Sequence, residues 1–347
     1  MKSNKSMNIT RRSAIYLGLG TTATFLAACS NSGGSSSSSS SDSGDVSNKK
    51  VVLILPGSID DQGWNSTNNA GAAAASNELG INIDVVESVP EEDFESTFTE
   101  YGEKGYDLVM AAGSQFDQTC TSVAPQYPDT KFTIVNGQES KSPNQVPVFP
   151  KEYEGSYLCG ILAGYYSKNG QFATLGGESN APMVKLLDTF EAMAVQTAKQ
   201  RGIANASSKR SFVNSFSDVA ATKNMASSMI DQGADMVFCY SNEGTSGAIQ
   251  AASEAGVNFV GFSSNKNAEA DCVVGSVEMD WAHVYPTIVR DVLEGTWTGY
   301  QEIGVAEGAF KTDYRDDATQ ELRDAIDSAS QDIIDDKVDF KQYFSEQ

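Results

Sequence analysis

The run Val51-Val52-Leu53-Ile54-Leu55, followed by Pro56-Gly57-Ser58-Ile59-Asp60-Asp61-Gln62-Gly63-Trp64-Asn65, decides the fold. Five consecutive apolar residues have strand length and no polar alternation, so they predict a strand buried on both faces, as in a parallel sheet. The polar loop behind it leads into Asn68–Leu79, which is Ala-rich and helix-prone. The same grammar then repeats, with strands at Ile81–Glu87, Tyr106–Ala112 and Phe132–Val135 and a helix at Asp93–Lys104. Beyond Pro150 it starts again, with helices at Tyr153–Ser167, Met183–Gly202, Val219–Gln232 and Gly247–Ala255. Strands are expected between them at Gln171–Leu175, Ser211–Asn214, Asp235–Tyr240 and Asn258–Phe262, and an acidic tail carries a helix at Ala318–Ile334. Apolar strands alternating with helical segments predict an α/β chain of two Rossmann-like lobes with parallel sheets joined by a hinge.

The expected division is 50–148 plus about 268–300 for the N-terminal lobe, and 149–267 plus about 301–347 for the C-terminal lobe. Ahead of them, residues 1–28 hold Lys2, Lys5, Arg11 and Arg12 and no acid, then a short apolar stretch ending Leu26-Ala27-Ala28-Cys29. This reads as a lipoprotein signal peptide with Cys29 as the lipid attachment site. Arg11-Arg12 fits either a twin-arginine export signal or two ordinary leader charges. Residues 29–49, dominated by Ser35–Ser41, form a flexible tether. The expected location is therefore outside the cell membrane, held by lipid.

Composition narrows the function. The 347 residues carry 24 Lys and Arg against 46 Asp and Glu, a net charge of −22; without the four bases of the leader, 20 bases face 46 acids, at −26. So acidic a body repels phosphate backbones and excludes nucleic acid as a partner. A single His, His283, and no Cys-x-x-Cys pair leave nothing from which to build a zinc centre or a His-based triad. Asp60-Asp61 is the only candidate acid pair, and adjacent residues rarely converge on one reacting atom, so an enzyme, a cofactor and a metal are not expected. Cys120, Cys159, Cys239 and Cys272 sit in apolar or small-residue settings and read as unpaired structural thiols.

In open parallel sheets ligands bind beyond the C-terminal ends of the strands. The site is therefore sought in the loops 56–65, 112–118, 136–138, 176–183, 215–218, 241–246 and 263–267. Asp61, Trp64 and Asn65 place a carboxylate, an indole and an amide before a helix, which suits stacking and edge recognition of a heterocycle. The competing reading is an N-cap at Asp61 and a core anchor at Trp64. Phe216 and Asp218 offer a second aromatic and acid from the other lobe, with a cap again the alternative at Asp218. Phe116, Asn136, Asn242 and Ser263 complete the loop set with one more aromatic and neutral hydrogen-bonders, which suit an uncharged ligand better than an anion. Asp280 and Trp281 either contribute from the hinge side of the cleft or start a helix with a packed indole.

These loops, in this order, resemble the basic membrane protein (PnrA-like) family of bacterial lipoproteins, whose characterised members are substrate-binding components of ABC importers for purine nucleosides and related compounds. The resemblance runs from about Lys50 to Lys311. It is carried by Asp61-Gln62-Gly63-Trp64-Asn65, Tyr127-Pro128-Asp129, Glu154-Gly155-Ser156-Tyr157-Leu158-Cys159-Gly160, Phe216-Ser217-Asp218, Gly233-Ala234-Asp235, Ser276 and Gly295-Thr296-Trp297. It implies a type I periplasmic-binding-protein fold, with Trp64 and Phe216 stacking on a base while Asp61 and Asn65 bind its edge. It also implies separate permease and ATPase partners, a monomeric receptor and no catalysis.

Nucleoside-binding members carry Asp, Asp and Lys where this chain has Asn136, Ser263 and Met279. Losing such ribose partners costs more than about 1 kcal/mol per hydrogen bond. A branch similar to receptors for free purine bases matches better, through Gly63-Trp64, Gly261-Phe262-Ser263-Ser264 and Asp280-Trp281, although Asn265 stands where that branch has Asp. The expectation is a purine-type ligand, nucleobase over nucleoside. The alternatives are a ligand sensor feeding a signalling receptor, and a nucleoside hydrolase.

Overall fold

The computed structural model describes residues 46–61 and 63–345. The expected leader, Cys29 and the serine run lie outside the described residues. The strands are β1 (Val51–Ile54), β2 (Ile83–Val86), β3 (Leu108–Ala112), β4 (Lys131–Val135), β5 (Val148–Pro150), β6 (Gln171–Gly176), β7 (Ser207–Phe212), β8 (Met236–Tyr240), β9 (Asn258–Ser263), β10 (Val273–Met279), β11 (Gln301–Ile303) and β12 (Phe310–Tyr314). They form two sheets, in the order β11-β5-β4-β3-β1-β2 and β12-β10-β9-β8-β6-β7. Every pairing in the first sheet is parallel. In the second, only β12 runs antiparallel, on β10.

The run that opens the fold shows why. Val51, Leu53 and Leu55 enter one apolar core while Val52 and Ile54 enter another on the opposite face, beside Phe94, Phe98, Phe116 and Phe132. Each such side chain stabilises the fold by about 1.5–3 kcal/mol on burial, and a polar residue on either face would lose that. The second sheet repeats the plan, with Phe238 on one face of β8 and Val237 and Cys239 on the other.

The helices are α1 (Trp64–Leu79), α2 (Phe94–Glu103), α3 (Asp117–Val123), α4 (Glu152–Tyr166), α5 (Ala181–Gln200), α6 (Val219–Asp231), α7 (Thr245–Ala255), α8 (Trp281–Glu294) and α9 (Gln320–Ile334). The first lobe is closed by α8, which packs on α1. Gly71 permits this approach: a Cβ there would lie 2.8 Å from the Tyr285 ring and 2.9 Å from the Trp281 Cβ. Cys120, Cys159 and Cys239 are buried free thiols and Cys272 is a half-buried one.

The topology redraws the lobe boundary expected at 268 and 301. Strand β10 extends the second sheet beside β9, and only then does the chain return to the first lobe as α8 and β11. β12 and α9 follow in the second. The strand expected at Ser211–Asn214 lies earlier, at Ser207–Phe212; as an edge strand with one paired side it keeps polar residues such as Ser207 and Lys209, which hid it.

The chain thus crosses between lobes at 150–152, 279–281 and 303–310, and the crossings are tied together. Lys151 N donates to Ile303 O at 2.8 Å, and Asp280 N to Ala309 O at 2.8 Å. Glu154 Oε2 accepts from Val305 N at 2.7 Å while its Oε1 pairs with Lys151 Nζ at 2.6 Å. Buried Glu154 is thus the clasp of the hinge, which gives a physical role to the acid in the Glu154–Gly160 motif.

Candidate functional site

Each sheet has a point where successive strands are laid down in opposite directions. In the first it lies between β1 and β3, in the second between β6 and β8. Loops leaving the sheet there diverge and open a crevice. The two crevices face each other across one cavity of about 510 Å³, within the usual range for small-molecule sites.

The first lobe lines it with Pro56, Trp64 and Asn65 after β1, Gly113, Ser114 and Gln115 after β3, and Asn136 after β4. The second lobe supplies Glu178, Asn180, Pro182 and Met183 after β6, Phe216 after β7, and Tyr240 and Asn242 at the end of β8, while Glu152 enters from the hinge. No lining residue carries a positive charge. The lobes touch at the rim, where a Cβ on Gly63 would lie 3.2 Å from Asn242 Oδ1 and 3.3 Å from its Cα. A side chain at 63 would hold them apart.

Of the expected site residues, Trp64, Asn65, Asn136, Phe216 and Asn242 come together on this cavity. The others do not line it. Asp61 is buried behind it, with Oδ1 accepting from Gly63 N and Ser66 N and Oδ2 from Asn65 N and Asn65 Nδ2, all at 2.8–2.9 Å. All its acceptor capacity goes to starting α1 and aiming Asn65, so it acts through Asn65 and not on a ligand edge. Asp218 caps α6 by accepting from Ala221 N at 2.9 Å, and Asp280 caps α8 by accepting from His283 N at 3.1 Å. Phe116 is fully buried against Phe94 and Phe98 in the core of the first lobe. Trp281 sits behind Trp64, its ring edge-on at 5.8 Å. Ser263 is buried at the end of β9 beside the Tyr240 hydroxyl.

Trp64 is held firmly. Its Nε1–H donates to Ala112 O at 3.0 Å, Trp281 backs it, and 9% of it stays accessible. The side-chain oxygen of Asn136, whose backbone is left-handed at φ 67°, has no hydrogen-bond partner among the described residues.

The other lining residues fall in the loops where the site is sought without being singled out there, except two, Glu152 and Tyr240, which lie outside those loops. Tyr240 ends β8, and its hydroxyl donates to Glu152 Oε1 at 3.0 Å. Burial pushes the Glu152 carboxyl up to about 7, the Tyr240 bond opposing the shift, and burial together with that carboxylate pushes the Tyr240 hydroxyl well above its ordinary value. Glu152 reads in sequence as an ordinary acid in a first helical turn. Its one signal is its place, two residues ahead of Glu154.

Two α/β lobes of this topology, meeting at a cavity between facing switch points, define the type I periplasmic-binding-protein fold. The sequence model of Bmp, the PnrA-like ABC transporter substrate-binding proteins, matches residues 48–342, and the chain belongs to that family. Among curated relatives it is 26% identical over 264 residues to a purine-binding protein of Brucella abortus, covering 74% of this chain and 73% of that one. It is 25% identical over 292 residues to a Haloferax volcanii protein named provisionally as an ABC transporter glucose-binding protein, covering 81% of this chain and 71% of that one. A solute-binding protein of an ABC transporter system from Aeropyrum pernix K1 superposes with a TM-score of 0.72 at 18% identity, over 84% of this chain and 92% of the other. No helix among the described residues is long and apolar enough to cross a membrane.

Proposed function

We propose that this substrate-binding protein captures a purine-type ligand, a free base in preference to a nucleoside, between its lobes and hands it to a membrane permease driven by a separate ATPase. The observation that carries the reading is the pairing of Trp64 and Phe216 from opposite lobes on a cavity rimmed with side-chain amides and free of basic groups. Flat aromatic faces suit a heterocycle, and uncharged donors and acceptors suit its edge. Two carboxyl groups without a cation disfavour a phosphate, which sets nucleotides aside. The ribose partners that the resemblance implies are replaced at Asn136, Ser263 and Met279, which disfavours a nucleoside. Lipidation at Cys29 would hold the receptor beside its permease, outside the membrane.

A sugar is the second reading, favoured by the Haloferax volcanii relative's name and by the aromatic, amide and carboxyl groups, which also match a pyranose. Calorimetric titration of the purified protein with adenine, guanine, hypoxanthine, their ribosides and glucose separates the two. Bases binding at least about tenfold more tightly than their ribosides supports the proposal. Heat from glucose alone replaces it with the second reading.

A further inference from the structure

The purine reading leaves Glu152 without a task, and the surroundings of this residue are unusual. It is 6% exposed, lines the cavity and is the first residue of α4, so the hinge clasp fixes its position. No cation pairs with it among the described residues: the adjacent Lys151 is engaged by Glu154. Of the other acids nearby, Glu178 is exposed on the cavity wall, and Asp61 lies behind Asn65. Tyr240 from β8 gives the one hydrogen bond found to this carboxyl group, on Oε1; Oε2 is not sealed inside the protein, and the residue lines the cavity. A buried carboxyl group with one neutral donor is under-satisfied, and burial raises its pKa accordingly. What the site lacks is a donor, and the cavity is where a donor can enter. A pocket built around a buried acceptor admits the ligand that donates to it and penalises the one that presents a second acceptor.

We propose that Glu152 is the specificity-determining acceptor of the site, taking a ring or exocyclic N–H of the ligand on Oε2. The preferred class is then a heterocycle with adjacent N–H donors, such as a 2-amino-6-oxopurine, over one that presents a bare ring nitrogen there. Tyr240 positions the carboxyl by holding Oε1. The inference rests on the purine reading and adds to it which edge of the base faces the hinge.

The test uses quenching of tryptophan fluorescence in the purified protein at pH 8, where Glu152 is ionised, with guanine, 1-methylguanine, hypoxanthine and adenine as probes. In the unmodified protein guanine is expected to bind at least about tenfold more tightly than adenine or 1-methylguanine, a charge-assisted bond being at stake. Glu152→Gln, which keeps the shape, is expected to lose about tenfold for guanine, to change adenine by less than about threefold, and to remove most of the penalty of 1-methylation. The ligand-side comparison needs no variant, so it decides the matter even where Glu152→Gln fails to fold. If the unmodified protein binds purines but favours adenine, or if Glu152→Gln weakens guanine and adenine alike, the assignment of Glu152 is overturned while the purine reading stands. If none of the purines binds, the purine reading itself fails, and the assignment with it.

Discussion

The two walls of the cavity are built differently. On the first lobe, Trp64 is bonded to Ala112 and backed by Trp281, and Asn65 is held by an Asp61 that makes four hydrogen bonds. On the second, Phe216 is half-buried in a short loop, Glu178 and Asn180 are exposed, and Asn242 sits in a left-handed turn at φ 34°. One wall is a preformed platform, and the other consists of groups that must settle onto whatever the platform holds. Ordering one wall in advance lowers the entropic cost of binding, while the freedom of the other permits closure.

The sharpest way to break this contrast is to remove each aromatic in turn. Trp64→Ala is expected to cost about 3 to 5 kcal/mol in denaturant unfolding and to abolish ligand binding. Phe216→Ala should cost about 1 kcal/mol of stability and roughly tenfold in affinity, its edge being partly solvated already. Equal losses would mean that the walls are equivalent. Next come the acids: Asp61→Ala strands several buried donors and should cost about 3 kcal/mol, whereas Asp218→Ala removes a single exposed cap worth about 1 kcal/mol.

Glu152, between the walls, gives a test by pH. Its folded-state pKa of about 7 lies above the ordinary 4.5, so the folded state binds the proton more tightly than the unfolded chain does. Between those two values the unfolded state releases its proton first, and stability falls as pH rises, by about 3 kcal/mol once both have released it. Of the neighbouring groups, burial and the Glu152 carboxylate hold the Tyr240 hydroxyl well above that window, while Glu154 is itself raised from 4.5 by burial and adds the same pH dependence to the unmodified protein and to Glu152→Gln. Melting temperatures of the ligand-free protein at pH 5 and pH 8 should therefore converge in Glu152→Gln; an unchanged gap would show that Glu152 does not feel the cavity. At the rim the effect is expected on closure and not on the fold. Gly63→Val should leave ligand-free stability within about 1 kcal/mol but weaken ligand binding by about tenfold, and small-angle scattering should show a larger radius of gyration with ligand present. A variant that closes normally would show that the Gly63–Asn242 approach is incidental.

Much of the architecture could be read from residues alone, because strands buried on two faces announce themselves as unbroken apolar runs. Val51–Leu55 and Val237–Tyr240 are examples, and the loops behind them proved to line the cavity. What stayed hidden has a common cause, since each case depends on a partner far along the chain. Val273–Met279 contains Gly275, Ser276 and Glu278 and does not read as a buried strand until β9 is placed beside it. Asp61, Asp218 and Asp280 lie where ligand groups would lie, because helix caps and ligand groups share the loop between strand and helix. Only the hydrogen bonds show that capping took them. Glu152 and Tyr240 meet across 88 residues, and beyond the place of Glu152 ahead of Glu154 neither carries a local mark.

The tied crossings at 150–152, 279–281 and 303–310 bear on how the molecule is made as well as on how it moves. The first lobe lacks α8 and its edge strand β11 until residue 303 is available, by which time β6 to β10 of the second lobe have been laid down. Neither lobe is a continuous piece of chain: the first is complete only after β6 to β10 of the second have been delivered, and the second only after β12 and α9 follow. A chain threaded through a membrane from its N-terminus would therefore keep its binding wall incomplete until nearly all of it had passed.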